Sequence, residues 1–259
     1  MTQEKPTQLK KILLTILPYW DPMIPPMGIT SLKAYLQDFG YEVKAEDLIV
    51  KKECLDYYNG YFEILKGCVP EEKRMNFNNI GHDVLQCHMM AHQRYTDEND
   101  YVETVKELIH KSFYVDPTDD IAKGLIRITH EFYDMLEEYF VQLLEEEQPD
   151  VVGVTAYKCT VPASLFVLKL TREKFPHIKT LMGGGTFNET HAPDSPNFDI
   201  LLKTSEAYLD KIILGPAELL FLAYLRGELP EDRRVYTRED IGGKTLPFSE
   251  SRIPDFSDL

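Results

Sequence analysis

The chain has 259 residues, 43% of them hydrophobic, enough for one large α/β domain or two small ones. Its formal net charge is −15, with acidic groups concentrated between the neighbourhood of Asp97 and the run Glu145–Asp150, which argues against a nucleic-acid-binding surface of clustered Lys and Arg. The four cysteines, Cys54, Cys68, Cys87 and Cys159, lack the spacing of a zinc ribbon or iron–sulfur site, and neither a secretory signal nor an apolar run of about 18 residues is present, so a cytoplasmic protein without a membrane partner is expected.

In chain order, KILLTILP (Lys11–Pro18) is strand-like and runs into the proline-rich loop YWDPMIPP. MGITSLKAYLQDFG then places Ile29, Leu32, Tyr35, Leu36 and Phe39 at helical spacing, with Gly40 as the stop, and YEVKAEDLIV reads as a second strand. This strand–helix–strand unit implies parallel neighbours. The pattern resumes at DVVGVTAY (Asp150–Tyr157), followed by the helix PASLFVLKLTREKFP and the strand IKTLMGGG. A further strand, DKIILG (Asp210–Gly215), precedes the helix PAELLFLAYLRGEL, with Pro216 at an early position where its missing N–H is harmless.

These elements predict a Rossmann-like, flavodoxin-like α/β fold: a five-stranded parallel sheet flanked by helices, with a helical insertion between strands two and three. The first part of the domain spans 1–50, the insertion 51–148, the second part 149–230, and a linker 231–259. Apolar residues at three- and four-residue spacing in DENDYVETVKELIHKSF and DDIAKGLIRITHEFYDMLEEYFVQLLEEE make the insertion helical, a subdomain or a cap over one sheet edge. The tail VYTREDIGGKTLPFSESRIPDFSDL has little periodicity and reads as extended.

Ligands of open α/β sheets bind beyond the carboxyl ends of the strands. The irregular loops fall there: PYWDPMIPP, TAYKCT, MGGGTF and GPAE, the third with three adjacent glycines in a chain that has 14. HMMAH sets His88 and His92 at i and i+4, a spacing that can bind metal, but without a neighbouring Glu or an obvious third ligand it reads as a structural pair. No GxSxG or comparable nucleophile signature occurs, so no catalytic residue and no metal ligand is assigned.

Taken in order, PPMGITSLKAYLQDFGYEV, DVVGVTAY, LMGGGTF, ILGPAELLFLAYLRGE and LPFSESRIPDFSDL resemble the N-terminal cobalamin-binding domain of cobalamin-dependent radical S-adenosylmethionine enzymes. The resemblance covers the chain apart from the insertion. It implies that Gly183, Gly184, Gly185 and Thr186 let the backbone pass close to the nucleotide tail of the cofactor, so that a leucine at 184 would block the tail and spare the fold. Thr155 would hydrogen-bond the tail, with Ala156 and Tyr157 beside it, and Gly215 and Glu218 would belong to a turn from which Pro216 and Ala217 depart. The loop after strand one holds Tyr19, Trp20, Asp21 and Met23 but no histidine, implying base-off cobalamin with its lower face covered by apolar or aromatic groups and no histidine ligand.

The same resemblance implies S-adenosylmethionine and a [4Fe-4S] cluster in a further C-terminal radical domain in cis, whose Cys-x-x-x-Cys-x-x-Cys motif these residues lack. On that footing this chain binds cofactor and catalyses nothing alone, while the full-length protein is a methyltransferase. Plainer alternatives stand beside each feature: a ligand-free tight turn for the glycines, packing for Thr155 and the YWDP aromatics, and a flavodoxin-like regulatory or protein-interaction module without a corrinoid for the whole.

Overall fold

The computed structural model describes residues 10–19, 25–247 and 250–259. Among them, six strands form one sheet: β1 (Lys11–Ile16), β2 (Glu42–Asp47), β3 (Val151–Thr155), β4 (Lys179–Gly183), β5 (Lys211–Leu214) and β6 (Val235–Thr237). Their order is β2-β1-β3-β4-β5-β6 and every pairing is parallel. Eight α-helices accompany them: α1 (Met27–Gln37), α2 (Lys52–Cys68), α3 (Phe77–His92), α4 (Glu98–Phe113), α5 (Asp119–Glu147), α6 (Val161–Lys174), α7 (Pro196–Thr204) and α8 (Ala217–Leu225). The chain thus has a Rossmann-like α/β fold. No helix among the described residues is long and apolar enough to cross a membrane.

The period-two alternation of strand side chains divides the core into two layers. Ile12, Leu14 and Ile16 of β1, with Leu181 of β4 and Ile213 of β5, pack against α1 and α8. Leu13, Val152, Val154, Met182 and Ile212 point the other way, into a cluster shared with α5, α6 and α7. Because both faces are covered, the central strands read as near-continuous apolar runs.

The sixth strand corrects the expectation of five. β6 has three residues, lies within the stretch read as linker, and is bracketed by the charged residues of 231–234 and 238–240, so no alternation marks it. Its connection is also unusual. Helices α6 and α7 carry the chain from β3 through β4 to β5 on one face, whereas α8 carries it onward in the same direction on the other. The last crossover therefore has the opposite hand, an exception to a strong general preference.

Between β2 and β3 the chain passes through α2, α3, α4 and α5. With 29 residues, α5 extends about 43 Å, whereas a six-residue strand spans about 20 Å. Only its end lies along the sheet: the Tyr139 hydroxyl donates to Glu46 Oε1 at 2.6 Å, and Glu147 accepts from Lys44 at 3.0 Å. Its first 20 or so residues must project beyond the carboxyl ends of the strands, and α2 and α4 pack on that overhang. Rather than capping a sheet edge, this segment shares one apolar cluster with the sheet, from Leu13 and Val152 to Tyr61, Val105 and Leu136.

Inside the overhang sits a ring cluster. His92 stacks on Tyr133 with centroids 4.4 Å apart, His130 lies 4.7 Å from His92, and Tyr95 stacks on Tyr101 at 4.4 Å. The buried His88 has Nδ1 3.0 Å from the Tyr61 hydroxyl and, among the described residues, no hydrogen-bond partner at Nε2. Burial, with His92 and His130 nearby, pushes its pKa down to about 3, and burial with His130 pushes His92 down to about 4.

The chain's last residues return to the sheet. The Lys33 side chain on α1 is only 2% exposed, and its Nζ lies 3.2 Å from Asp255 and 2.7 Å from Asp258, with Ser257 Oγ at 2.9 Å. Asp258 also accepts from the Ala45 N–H on β2 at 2.8 Å, satisfying a donor on an edge strand.

Two measurements check these features. Both histidines take up protons more readily when unfolded, at about pH 6.5, so their contribution is complete above that pH and is lost as pH falls toward 4. Urea denaturation should show stability falling from pH 6.5 to 5 by about 1.4 kcal/mol per pH unit for His88, a slope that His88→Asn reduces; a pH-independent stability would contradict the assignment. For the tail, Asp255→Asn with Asp258→Asn should lower the urea midpoint by leaving the buried Lys33 ammonium without its carboxylates, and adding Lys33→Met should recover much of the loss. An unchanged urea midpoint in the double variant would show that the tail contributes nothing.

Candidate functional site

In the order β2-β1-β3, the chain leaves β1 toward one side and continues from β3 toward the other, so the topological switch point lies between β1 and β3. At the carboxyl rim beside it, a cavity of about 470 Å³ runs down between the sheet and the pair α1 and α8. That volume lies within the range of small-molecule sites, about 300–1,000 Å³. Its deep wall comes from Leu14, Gly153, Leu181 and Ile213 on four strands, and its outer walls from Gly28, Ile29 and Leu32 of α1 and Ala217 and Phe221 of α8. Thr155, Tyr157 and Asn188 stand at the mouth, and no charged side chain lines it among the described residues.

Glycine makes this space at different places for different reasons. Gly28 is exposed in the first turn of α1, and a Cβ there would meet only Thr155 Oγ1, at 4.0 Å. Gly183 ends β4 on the cavity face, where a Cβ would touch the Ile213 carbonyl at 3.4 Å and otherwise project into the opening. At Gly153 the opposite holds: Leu14 and Phe221 already occupy the place of a Cβ, at 2.9 and 3.2 Å, so this glycine lets the helix close down on the sheet.

Gly184 serves the rim itself. Its φ is +111°, and a Cβ would stand 2.5 Å from the Ala156 carbonyl oxygen and 2.6 Å from the Ala156 nitrogen. The loops after β3 and β4 are knitted there: the Ala156 N–H donates to Gly183 at 2.8 Å, and the Thr186 N–H donates to Ala156 at 3.0 Å. The expectation that a leucine at 184 would spare the fold is therefore corrected, because the collision is with backbone.

The expected site residues do not all meet at the cavity. Thr155, Tyr157, Gly183, Gly184 and Gly215 line the cavity, Gly215 with φ +110°. Ala156 and Thr186 are buried just behind it, Thr186 Oγ1 lying 2.8 Å from Nδ1 of His191, whose pKa burial lowers. Gly185 packs against Tyr157, whose ring would be 2.9 Å from an added Cβ, and Glu218, half-buried in the first turn of α8, is outside the lining. Tyr19 is elsewhere: 6% exposed, its ring lies against Tyr58 of α2 and Phe132 of α5, 5.2 and 5.3 Å away. Trp20, Asp21 and Met23 lie outside the described residues.

The walls contributed by α1 and α8 were not anticipated, although two signals pointed to them. A glycine inside a strand, Gly153, marks close approach, and a glycine early in a helix, Gly28, gives up helix propensity for space. At the rim, Cys159 is half-buried and burial pushes its thiol up to about 11, away from nucleophilic use. Among the described residues, no group of three or more His, Cys, Asp or Glu side chains is arranged to hold a metal ion. What this arrangement offers is a shaped, uncharged slot.

The fold and cavity thus define a Rossmann-like α/β protein with a ligand-sized slot at its carboxyl rim. No protein-family model, curated protein or solved structure matches the chain.

The two kinds of glycine separate by mutation. Gly184→Ala should lower stability by about 2 kcal/mol or more, from backbone collision and strain, while Gly28→Ala should leave it unchanged or raise it by about 0.5–1 kcal/mol. Equal urea midpoints for the two variants would contradict the distinction.

Proposed function

We propose that the chain is a cobalamin-binding module, holding the cofactor base-off with its nucleotide tail in the slot between the sheet, α1 and α8. One observation carries this reading: the slot is deep, uncharged and opened by glycine where its walls meet the rim, at Gly28 and Gly183. The residues present fit the group. A tail needs a long narrow space beside the switch point, and the corrin, too large for it, would rest across the loops after β3, β4 and β5. Thr155, Tyr157 and Asn188, which line the mouth, would hydrogen-bond the tail as it enters, while Leu14, Leu181, Ile213 and Phe221 would exclude water below.

Bound cobalamin supplies a cobalt centre for methyl transfer, and the chain's own contribution is to position it and keep its appendage dry. In this reading the radical chemistry, with S-adenosylmethionine and a [4Fe-4S] cluster, belongs to a further domain in cis. A phosphate-rich nucleotide, the ligand of a flavodoxin-like regulatory module, fits less well because no Lys or Arg lines the slot among the described residues.

The test is retention. Incubated with hydroxocobalamin and desalted, the purified chain should keep the corrin absorption; Gly28→Leu and Gly183→Val, whose side chains project into the slot, should lose it with circular dichroism unchanged. A wild-type chain that elutes colourless would sink the reading, and well-folded variants that retain the cofactor as wild type does would remove the tail from the slot.

A further inference from the structure

The slot is polar only at its mouth. Thr155 is the last residue of β3, Tyr157 lies just after it, and Asn188 is in the turn after β4. Below them the lining is Leu14, Gly153, Leu181 and Ile213 from the strands, facing Leu32 and Phe221 from the helices. None of these side chains carries a hydrogen-bonding group. The backbone at the floor of the slot is engaged in the sheet: β1, β3 and β4 are each paired with a neighbour on both sides, and the register places Leu14 opposite Gly153 and Gly153 opposite Leu181.

We infer that the deep end of the slot makes the chain selective for cobamides whose lower base is an apolar benzimidazole, over those whose lower base is a purine. This rests on the cobalamin reading and goes beyond it, since binding of a corrinoid does not dictate which base the protein accepts. An adenine base carries an exocyclic amine and additional ring nitrogens, each hydrogen-bonded to water before entry. Inside the slot those groups find hydrocarbon, and burying a donor or acceptor without a partner is unfavourable. A benzimidazole brings methyl groups and ring edges that gain from leaving water. Leu14, Leu181, Ile213 and Phe221 are thereby the specificity-determining residues, by withholding partners rather than by providing them.

Equilibrium dialysis of the purified wild-type chain against three probes tests this: cobalamin, the cobamide with adenine as lower base, and cobinamide, which has no nucleotide tail. The expected order is cobalamin tightest, the adenine cobamide weaker by about tenfold to a hundredfold, and cobinamide weaker than cobalamin. If cobalamin and the adenine cobamide bind equally while cobinamide binds weakly, the tail still enters the slot and the selectivity is overturned. If all three bind alike, the tail does not enter the slot and the selectivity falls with that placement; if none binds, the cobalamin reading itself fails.

Discussion

The carboxyl rim depends on one close approach of backbone to backbone. The loops after β3 and β4 exchange two hydrogen bonds across Ala156, and they can do so only because residue 184 has no side chain and takes a positive φ. From that join the other rim features follow. Thr155 and Gly183 are register partners at the strand ends, and both face the cavity, so a fixed join above them holds the mouth at a constant width. The triple glycine thus divides its work: Gly183 leaves space, Gly184 permits the join, and Gly185 accommodates the Tyr157 ring.

A second constraint comes from length. A 29-residue helix serving as the crossover to a strand of five residues must overshoot it, and the overshoot stands above the rim at which the cavity opens. The helices packed on it take Tyr19 from the loop after β1 into their aromatic interior, and the Tyr19 N–H reaches the Cys159 carbonyl at 3.5 Å. The overhang is thereby tied to the loops after β1 and β3 and becomes part of the rim's surroundings. Its buried His88 and half-buried His92, held neutral by desolvation, belong to this interior.

How far the sequence foretold this varied with the kind of signal. β1 and β4 were plain because their apolar runs end in proline- or glycine-rich loops, β3 because VVGV is a short near-continuous apolar run, and α1 because Ile29, Leu32 and Leu36 repeat at helical spacing. β6 was hidden, since three residues between charged neighbours show no period and its crossover has the rarer hand. The rim residues Thr155, Gly183 and Gly215 were found through the rule that places ligands at strand ends. The deeper walls were missed because Leu14, Leu181 and Phe221 look like any core residues: nothing local distinguishes an apolar side chain facing a slot from one facing another side chain. Tyr19 was misjudged for a related reason, as an aromatic in a loop can turn toward a ligand or into a neighbouring helix layer, and the partners that decide it, Tyr58 and Phe132, are far away in the chain.

On the proposed reading, the space opened by glycine between the sheet and the pair α1 and α8 is where an apolar appendage of the cofactor would lie. The most direct measurement is the change in methyl NMR shifts of selectively labelled chain on adding cobalamin. The account predicts large ring-current shifts for Leu14, Ile29, Leu181 and Ile213, with the buried methyls of Ile109 and Leu136 in the helical overhang unmoved. Shifts confined to the overhang, or none at the four slot residues under saturating cofactor, would contradict it.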